Sequence, residues 1–483
     1  MRSKKGKLDK ALPYFVLGVF ALLYASLSIL KHLHFQSHAF DLGIFDQGIW
    51  HYSRFEAPAS TIRGFDNLLG DHFHPILVLV APLLWVWNDA RALLILQALL
   101  FVLSALPIWW LADKHFGRLA AVLWSSAYLL FWGIQNAIAF DFHEIAFAMP
   151  LISFGAFYAV GKRWRRALFF ILPLLLVKED LSFLVMAFGL FYLLYRQWWL
   201  GLGLVGLGAS WFLIVTKLIM PGLAGGNKFG YWTYPQFGPD PISAAKAVLA
   251  KPWRVVEEMF QPRHKLKTGF YLFWSFGLLP LASPLIVLAA PLVAERFLST
   301  NMNYWVMDFH YSATIAPILA LAAIDGLQRF GRWLHFRRSV YLIAGLAVLL
   351  INVYLLPRYP LSSLVQPSYW SLSQSDRQGH AMLELIPPSA SVLAQDTIAP
   401  HLTHRDKIYD LDQASPKADY VAVNFQLPHF PAADEFYKNY LTSLSDQGYR
   451  VAYSQGSWLL YHKGLADGAA LSPEAKAYFG DGD

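Results

Sequence analysis

Eleven predominantly apolar stretches, at 13–30, 91–111, 118–135, 145–161, 167–178, 181–195, 198–219, 270–282, 284–298, 311–327 and 339–356, leave this chain few ways to fold. A helix crossing a bilayer needs about 20 apolar residues, and several of these runs approach that length. Charged residues make up only 15% of the chain, against about 25% in soluble domains. The 18 Trp within an aromatic content of 16% suit girdles at a membrane interface. The sequence therefore predicts a mainly α, polytopic membrane protein.

Charge fixes the expected orientation. Arg2, Lys4, Lys5, Lys7 and Lys10 precede the first run, and Lys31-His32-Leu33-His34 follows it in place of a cleavage motif. The run reads as a retained helix with its N-terminus in the cytoplasm. Segment 74–87 is apolar but only about 14 residues long, closer to a re-entrant or interfacial helix than a span. If it does not cross, Lys114/Arg118, Lys162–Arg166, Arg196 and Arg329/Arg332/Arg337/Arg338 all fall on the cytoplasmic side. If it crosses, all of them move outside, against the positive-inside bias. The prediction is 11 spans in residues 1–356, N-terminus in and C-terminus out, in a plasma membrane. Two large external loops follow, 31–90 and 220–269, the second resembling a lid with amphipathic stretches at 242–261.

From residue 357 the composition turns polar and mixed. Strand-like runs at 391–394, 407–410, 420–424, 449–453 and 458–462 alternate with helix-like stretches near 376–385, 397–403 and 433–447. Residues 357–483 thus read as an external α/β domain. No internal repeat is evident, which argues against an inverted-repeat transporter.

The chain has no Cys, which removes thiolate metal sites and cysteine nucleophiles. It has no P-loop, GxGxxG, GxSxG or HExxH, and its basic clusters lack the aromatic grooves of nucleic-acid binders. The unusual polar residues instead gather on one side of the predicted membrane. Asp41 and Asp46 sit in an apolar stretch just past the first span; a helical spacing of five would turn them about 140° apart. They read either as caps and surface carboxylates or as a general base beside the bilayer. Asp71, His72 and His74 close the same loop. Asp141, His143 and Glu144 occupy the next external turn, and Asp308, His310 and Tyr311 precede the tenth span. These clusters form either a polar lining or a site for a divalent metal, with Asp71, His72, Asp141 and His143 the candidate ligands.

Lys178-Glu179-Asp180 packs three ionisable groups between two apolar runs. Charge at that depth faces a cavity or an opposite charge. Lys178 either holds a lipid phosphate, with an acid neighbour orienting it, or pairs with Glu179 as a tether. Glu295 and Arg296 invite the same two readings.

The ordered strings FDLGIFDQ (40–47), LGDHFHP (69–75), FDFHE (140–144), LLVKED (175–180) and HYSA (310–313) resemble a bacterial and archaeal family of predicted membrane proteins known as domain of unknown function 2079. The likeness runs over most of the chain, tail included. That family in turn resembles the GT-C integral membrane glycosyltransferases. The resemblance implies many spans, an N-in first helix, an acidic catalytic residue in the first external loop and a polyprenyl-phosphate-linked sugar as donor. Asp41 matches the position of that acid, with Asp46 nearby, although Leu42 stands where the usual adjacent Asp-Glu pair would continue. On this reading Asp41 is the base and Lys178 the cation for the leaving phosphate. Glu179, His72, His74, Asp141, His143, Glu144, His310 and Tyr311 line the substrate or metal platform. The partners are membrane lipid and an acceptor glycan, lipid or protein. A lipid or solute transporter, a flippase or a non-enzymatic envelope assembly factor is the alternative.

Overall fold

The computed structural model describes residues 2–226, 230–412 and 416–480, with side chains described from residue 11 onward. The basic side chains of Arg2, Lys4, Lys5, Lys7 and Lys10 lie outside the described residues. The chain is mainly helical, at 65%.

All eleven apolar runs are helical in whole or part. Among the described residues, five helices have both the length and the apolarity of a membrane crossing: Ala11–Leu33, Arg91–Phe116, Trp198–Leu223, His310–Trp333 and Arg338–Arg358. Other runs are shorter or interrupted, and the backbone shows why. Run 118–135 breaks into Arg118–Leu129 and Trp132–Ala139 where Phe131 turns extended, at ψ 131°. Run 270–282 breaks at Gly277 and Leu278, both with positive φ. Run 167–178 tightens into a 3₁₀ turn, Leu172–Leu176, with a proline in its first turn. Segment 74–87 forms a 3₁₀ turn, Pro75–Val80, and one short helix, Ala81–Val86.

Small residues set the closest helix pair. A Cβ placed on Gly189 would lie 2.7 Å from the Gly201 carbonyl oxygen, and one on Gly208 2.6 Å from that of Ser182. Helices Leu181–Leu194 and Trp198–Ile214 therefore pack backbone to backbone, the usual device where lipid removes the hydrophobic drive for association.

The C-terminal part builds one five-stranded sheet from β1 (Val392–Ala394), β2 (Ile408–Asp410), β3 (Tyr420–Asn424), β4 (Tyr449–Gln455) and β5 (Trp458–Lys463). The order is β2-β1-β3-β5-β4, with β1 parallel to β2 and β3 and the remaining pairs antiparallel. Alternation along the strands sends Val392, Ala394 and Ala422 to one core and Leu393, Val421 and Val423 to the other. The first of these cores also buries Phe35 and Ala39 from the segment after the first span. The sheet is thereby packed onto the loop that carries Asp41.

Candidate active site

That loop is held from two directions before it reaches Asp41. The Ala39 amide donates to the Asp396 carboxylate at 2.9 Å and to its backbone carbonyl at 2.8 Å. The His38 ring meets the same carboxylate at 2.5 Å. From the helical side, Asp141 accepts from the His38 amide at 2.9 Å and pairs with Lys31 at 2.8 Å. Asp41 itself takes φ 91° and ψ −91°, a left-handed conformation costing about 1–3 kcal/mol in a non-glycine residue. The clamp on either side makes that conformation tenable, and it turns the Asp41 carboxylate into a cavity of about 450 Å³.

His143 answers Asp41 across the cavity wall, its Nε2 2.9 Å from Oδ1. Its ring also packs on Phe45, Phe140 and His310. Burial would lower the imidazole pKa, but Asp41 and then Glu144 together outweigh it, and the pKa is raised above the ordinary 6.5. The next residue, Glu144, immediately precedes the helix Ile145–Val160 and takes Lys178 at 2.9 Å. Burial pushes the Glu144 carboxyl up, yet Lys178 and then His143 hold it down to about 2.

Consecutive residues in the turn after Val177 point apart. Lys178 goes to Glu144, while Glu179 goes to His72 at 2.7 Å and to the Phe73 amide at 3.0 Å. The tether expected between Lys178 and Glu179 is therefore made with different partners, which bind this turn to both the first loop and the 140–144 turn. Burial pushes the Asp180 carboxyl up to about 6, against the pull of Lys178.

The first loop closes the cavity from above. Asp71 takes Arg63 through two bonds, 2.9 and 3.1 Å, and the Tyr231 hydroxyl at 2.6 Å. The His72 ring stacks on Tyr231 at 3.9 Å. Gly70 is needed where the loop crosses the turn at Leu223–Ala224: a Cβ there would lie 2.7 Å from the Ala224 nitrogen. His74 is buried against Phe45. His310 and Tyr311 line the opposite wall with Tyr304. Arg296 is buried in that wall too. Its guanidinium donates to the Tyr304 and Val306 carbonyls, leaving Nη1 without a hydrogen-bond partner.

Of the residues singled out in the sequence, the cavity gathers Asp41, Asp71, His72, His74, His143, Glu144, Lys178, Glu179, His310 and Tyr311. Two lie elsewhere. Asp46 is fully buried beneath the sheet, accepting from the Thr403 hydroxyl and pairing with His404 at 3.0 Å. Asp141 stands behind the wall in the Lys31–His38 clamp. The four candidate metal ligands each face a different partner, Asp71 to Arg63, His72 to Glu179, Asp141 to Lys31 and His143 to Asp41. Among the described residues no three His, Asp or Glu groups are placed to hold one ion. Arg63, Tyr231 and Tyr304 were not singled out in the sequence; nothing local marks them, since each reaches the cavity only through the folded loops.

Comparison with solved structures supplies the fold class. ArnT from Cupriavidus metallidurans bound to undecaprenyl phosphate superposes with a TM-score of 0.57 at 12% identity, covering 95% of this chain and 99% of that one. The same protein in its apo state gives 0.53 at 13% identity, covering 93% and 97%. ArnT is a GT-C glycosyltransferase, and at this identity the likeness is one of fold. No curated protein matches the sequence. A family model does match, over residues 31–466, and the chain belongs to that family, the predicted membrane proteins of DUF2079.

Proposed function

We propose that this protein is an inverting membrane glycosyltransferase that moves a sugar from a polyprenyl-phosphate donor to an acceptor at the external membrane face. The observation that carries the reading is the pairing of opposite chemistries in one cavity: the Asp41 carboxylate on His143 at one wall, and Lys178 with the buried, unpartnered Nη1 of Arg296 at another. The GT-C-like fold supports it, as does the undecaprenyl phosphate held by ArnT. In the reaction, Asp41 takes the proton from an acceptor hydroxyl. The acceptor oxygen forms a bond to the anomeric carbon as the bond from that carbon to the phosphate oxygen breaks. Lys178 and Arg296 balance the charge that develops on the departing lipid phosphate. A phosphate so neutralised needs no protonation to leave.

The proposed arrangement has 11 spans, N-terminus in and C-terminus out, with segment 74–87 lying at the external face and the sheet domain outside. A reporter fused after Arg166 reads cytoplasmic on this topology, and one fused behind the sheet reads external.

The direct test is donor-lipid binding by the full chain in nanodiscs, followed by mass spectrometry with polyprenyl phosphate as probe. Wild type retains it, and Lys178→Met and Arg296→Gln each retain less. Equal retention by all three would remove the phosphate role from this cavity.

A further inference from the structure

A second cavity, of about 530 Å³, opens at the other end of the helical bundle. The helix His310–Trp333 joins the two: His310 lines the first cavity, and Arg329 and Arg332 line the second. At 1.5 Å per residue, that helix separates the two by roughly the thickness of a bilayer's hydrocarbon core. Nothing in the transfer chemistry uses this second cavity.

Its wall is amphipathic in a specific way. Lys114, Lys162, Arg163, Arg329 and Arg332 come from four separate helix ends and converge on it, with Asp325 the one carboxylate among its lining residues. Asp325 is already committed, to Arg329 at 2.7 Å and to the Ser283 hydroxyl at 2.6 Å. Arg329 also donates to the Tyr195 hydroxyl at 3.1 Å, and Lys162 lies over the Tyr195 ring. Lys114, Arg163 and Arg332 make no ion pair among the described residues. Leu111, Phe157 and Val160 supply an apolar strip of the wall, beside His115 and Gln328, which are hydrogen-bonded to each other at 2.6 Å. Unpaired cations dispersed over a surface would be a plain consequence of the positive-inside bias. Converging in one concave site beside apolar side chains, they repel one another, and a polyvalent anion bound between them would relieve that repulsion.

We infer that this cavity is a binding site for a phosphate-bearing group, with Arg163 and Arg332 its principal ligands and Lys114 and Lys162 at its rim. The apolar strip suits an anionic phospholipid, whose phosphate would meet the arginines while its glycerol and upper acyl carbons lie along Leu111, Phe157 and Val160. A free phosphate compound offers the same headgroup chemistry without the second contact.

The test is native mass spectrometry of the full chain released from vesicles of phosphatidylglycerol mixed with phosphatidylcholine. Wild type retains phosphatidylglycerol selectively. The double variant Arg163→Gln/Arg332→Gln weakens that retention roughly thirtyfold, the product of two interfacial charges. Arg163→Lys/Arg332→Lys keeps most of it, which also shows that the fold is intact. Arg165→Gln/Arg166→Gln removes two charges from the same face outside the cavity and keeps retention at the wild-type level. Inorganic pyrophosphate is then titrated against the retained lipid. Failure to compete supports the lipid source, and full displacement supports phosphate recognition with a soluble source. Equal loss in the 163/332 and 165/166 variants, or no loss in either, overturns the site.

Discussion

His143 and Asp41 come from loops at the ends of different helices, yet Nε2 and Oδ1 meet at 2.9 Å with the imidazole fully enclosed. The contact fixes the direction of the Asp41 carboxylate, whose backbone is already forced into a left-handed conformation. It also gives the pair a pH signature. Burial works to lower the His143 pKa, but the charge and hydrogen bond of Asp41, with Glu144 beside them, leave the net shift upward. The folded chain thus binds that proton more tightly than the unfolded chain. Stabilisation from the pair is complete below 6.5 and fades as pH rises through the raised value. Thermal midpoints measured between about pH 6 and 9 should fall on the alkaline side. Asp41→Asn should flatten that fall, because its amide no longer holds the proton. A variant that keeps the full wild-type slope would show that another group carries it.

Lys178 should separate binding from folding. Lys178→Met leaves Glu144 buried and unpaired, a loss of about 3–5 kcal/mol. The double variant Lys178→Met/Glu144→Leu removes both charges and should recover most of that stability. Donor-lipid retention should stay low in both variants. Recovery of retention along with stability would leave Lys178 a helix tether and nothing more.

Asp46 offers the contrasting case. It is enclosed by Thr403 and His404 under the sheet and does not reach the cavity. Asp46→Asn should lower stability by about 1–3 kcal/mol through the weakened buried bonds, with turnover per folded molecule close to wild type. Turnover lost in Asp46→Asn and kept in Asp41→Asn would reverse the two roles.

Acid should act through Glu144 and Glu179. Burial raises both carboxyls, but Lys178 on the first and His72 on the second hold each at about 2. Their folded-state values lie below the ordinary 4.5, so the stability they confer is complete above that pH and is lost as pH falls toward about 2. Far-ultraviolet circular dichroism followed down in pH should show little change from these groups before that window. His72→Gln should soften the acid transition.

Much of this molecule was legible in its residues, and for definite reasons. Strands β1 to β5 lie within a few residues of the strand-like runs, because their apolar positions alternate and polar turns bound them. The clusters around Asp41, His72, His143, Lys178 and His310 stood out because ionisable groups are rare in apolar sequence, and the fold draws them to one cavity. Partner choice was not legible. Glu179 follows Lys178 in sequence, yet the turn sends one to His72 and the other to Glu144. Asp46 and Asp141 have the same local setting as Asp41 and His143, but long-range contacts to Thr403 and Lys31 place them behind the wall. Helix breaks at Phe131 and Leu278 depend on tertiary packing, so the length of each membrane-crossing helix could not be read from hydropathy alone.

Sugar transfer by this protein can be measured directly. The purified full chain in nanodiscs is incubated with a total extract of cellular polyprenyl-phosphate-linked sugars and envelope acceptors, and the lipid products are quantified by mass spectrometry. Wild type should convert one lipid-linked sugar to free polyprenyl phosphate with equal gain of sugar on an acceptor. Asp41→Asn should do so about 10²–10⁴-fold more slowly while retaining the donor lipid. Full conversion by Asp41→Asn, or no change in any lipid-linked sugar with wild type, would contradict the account.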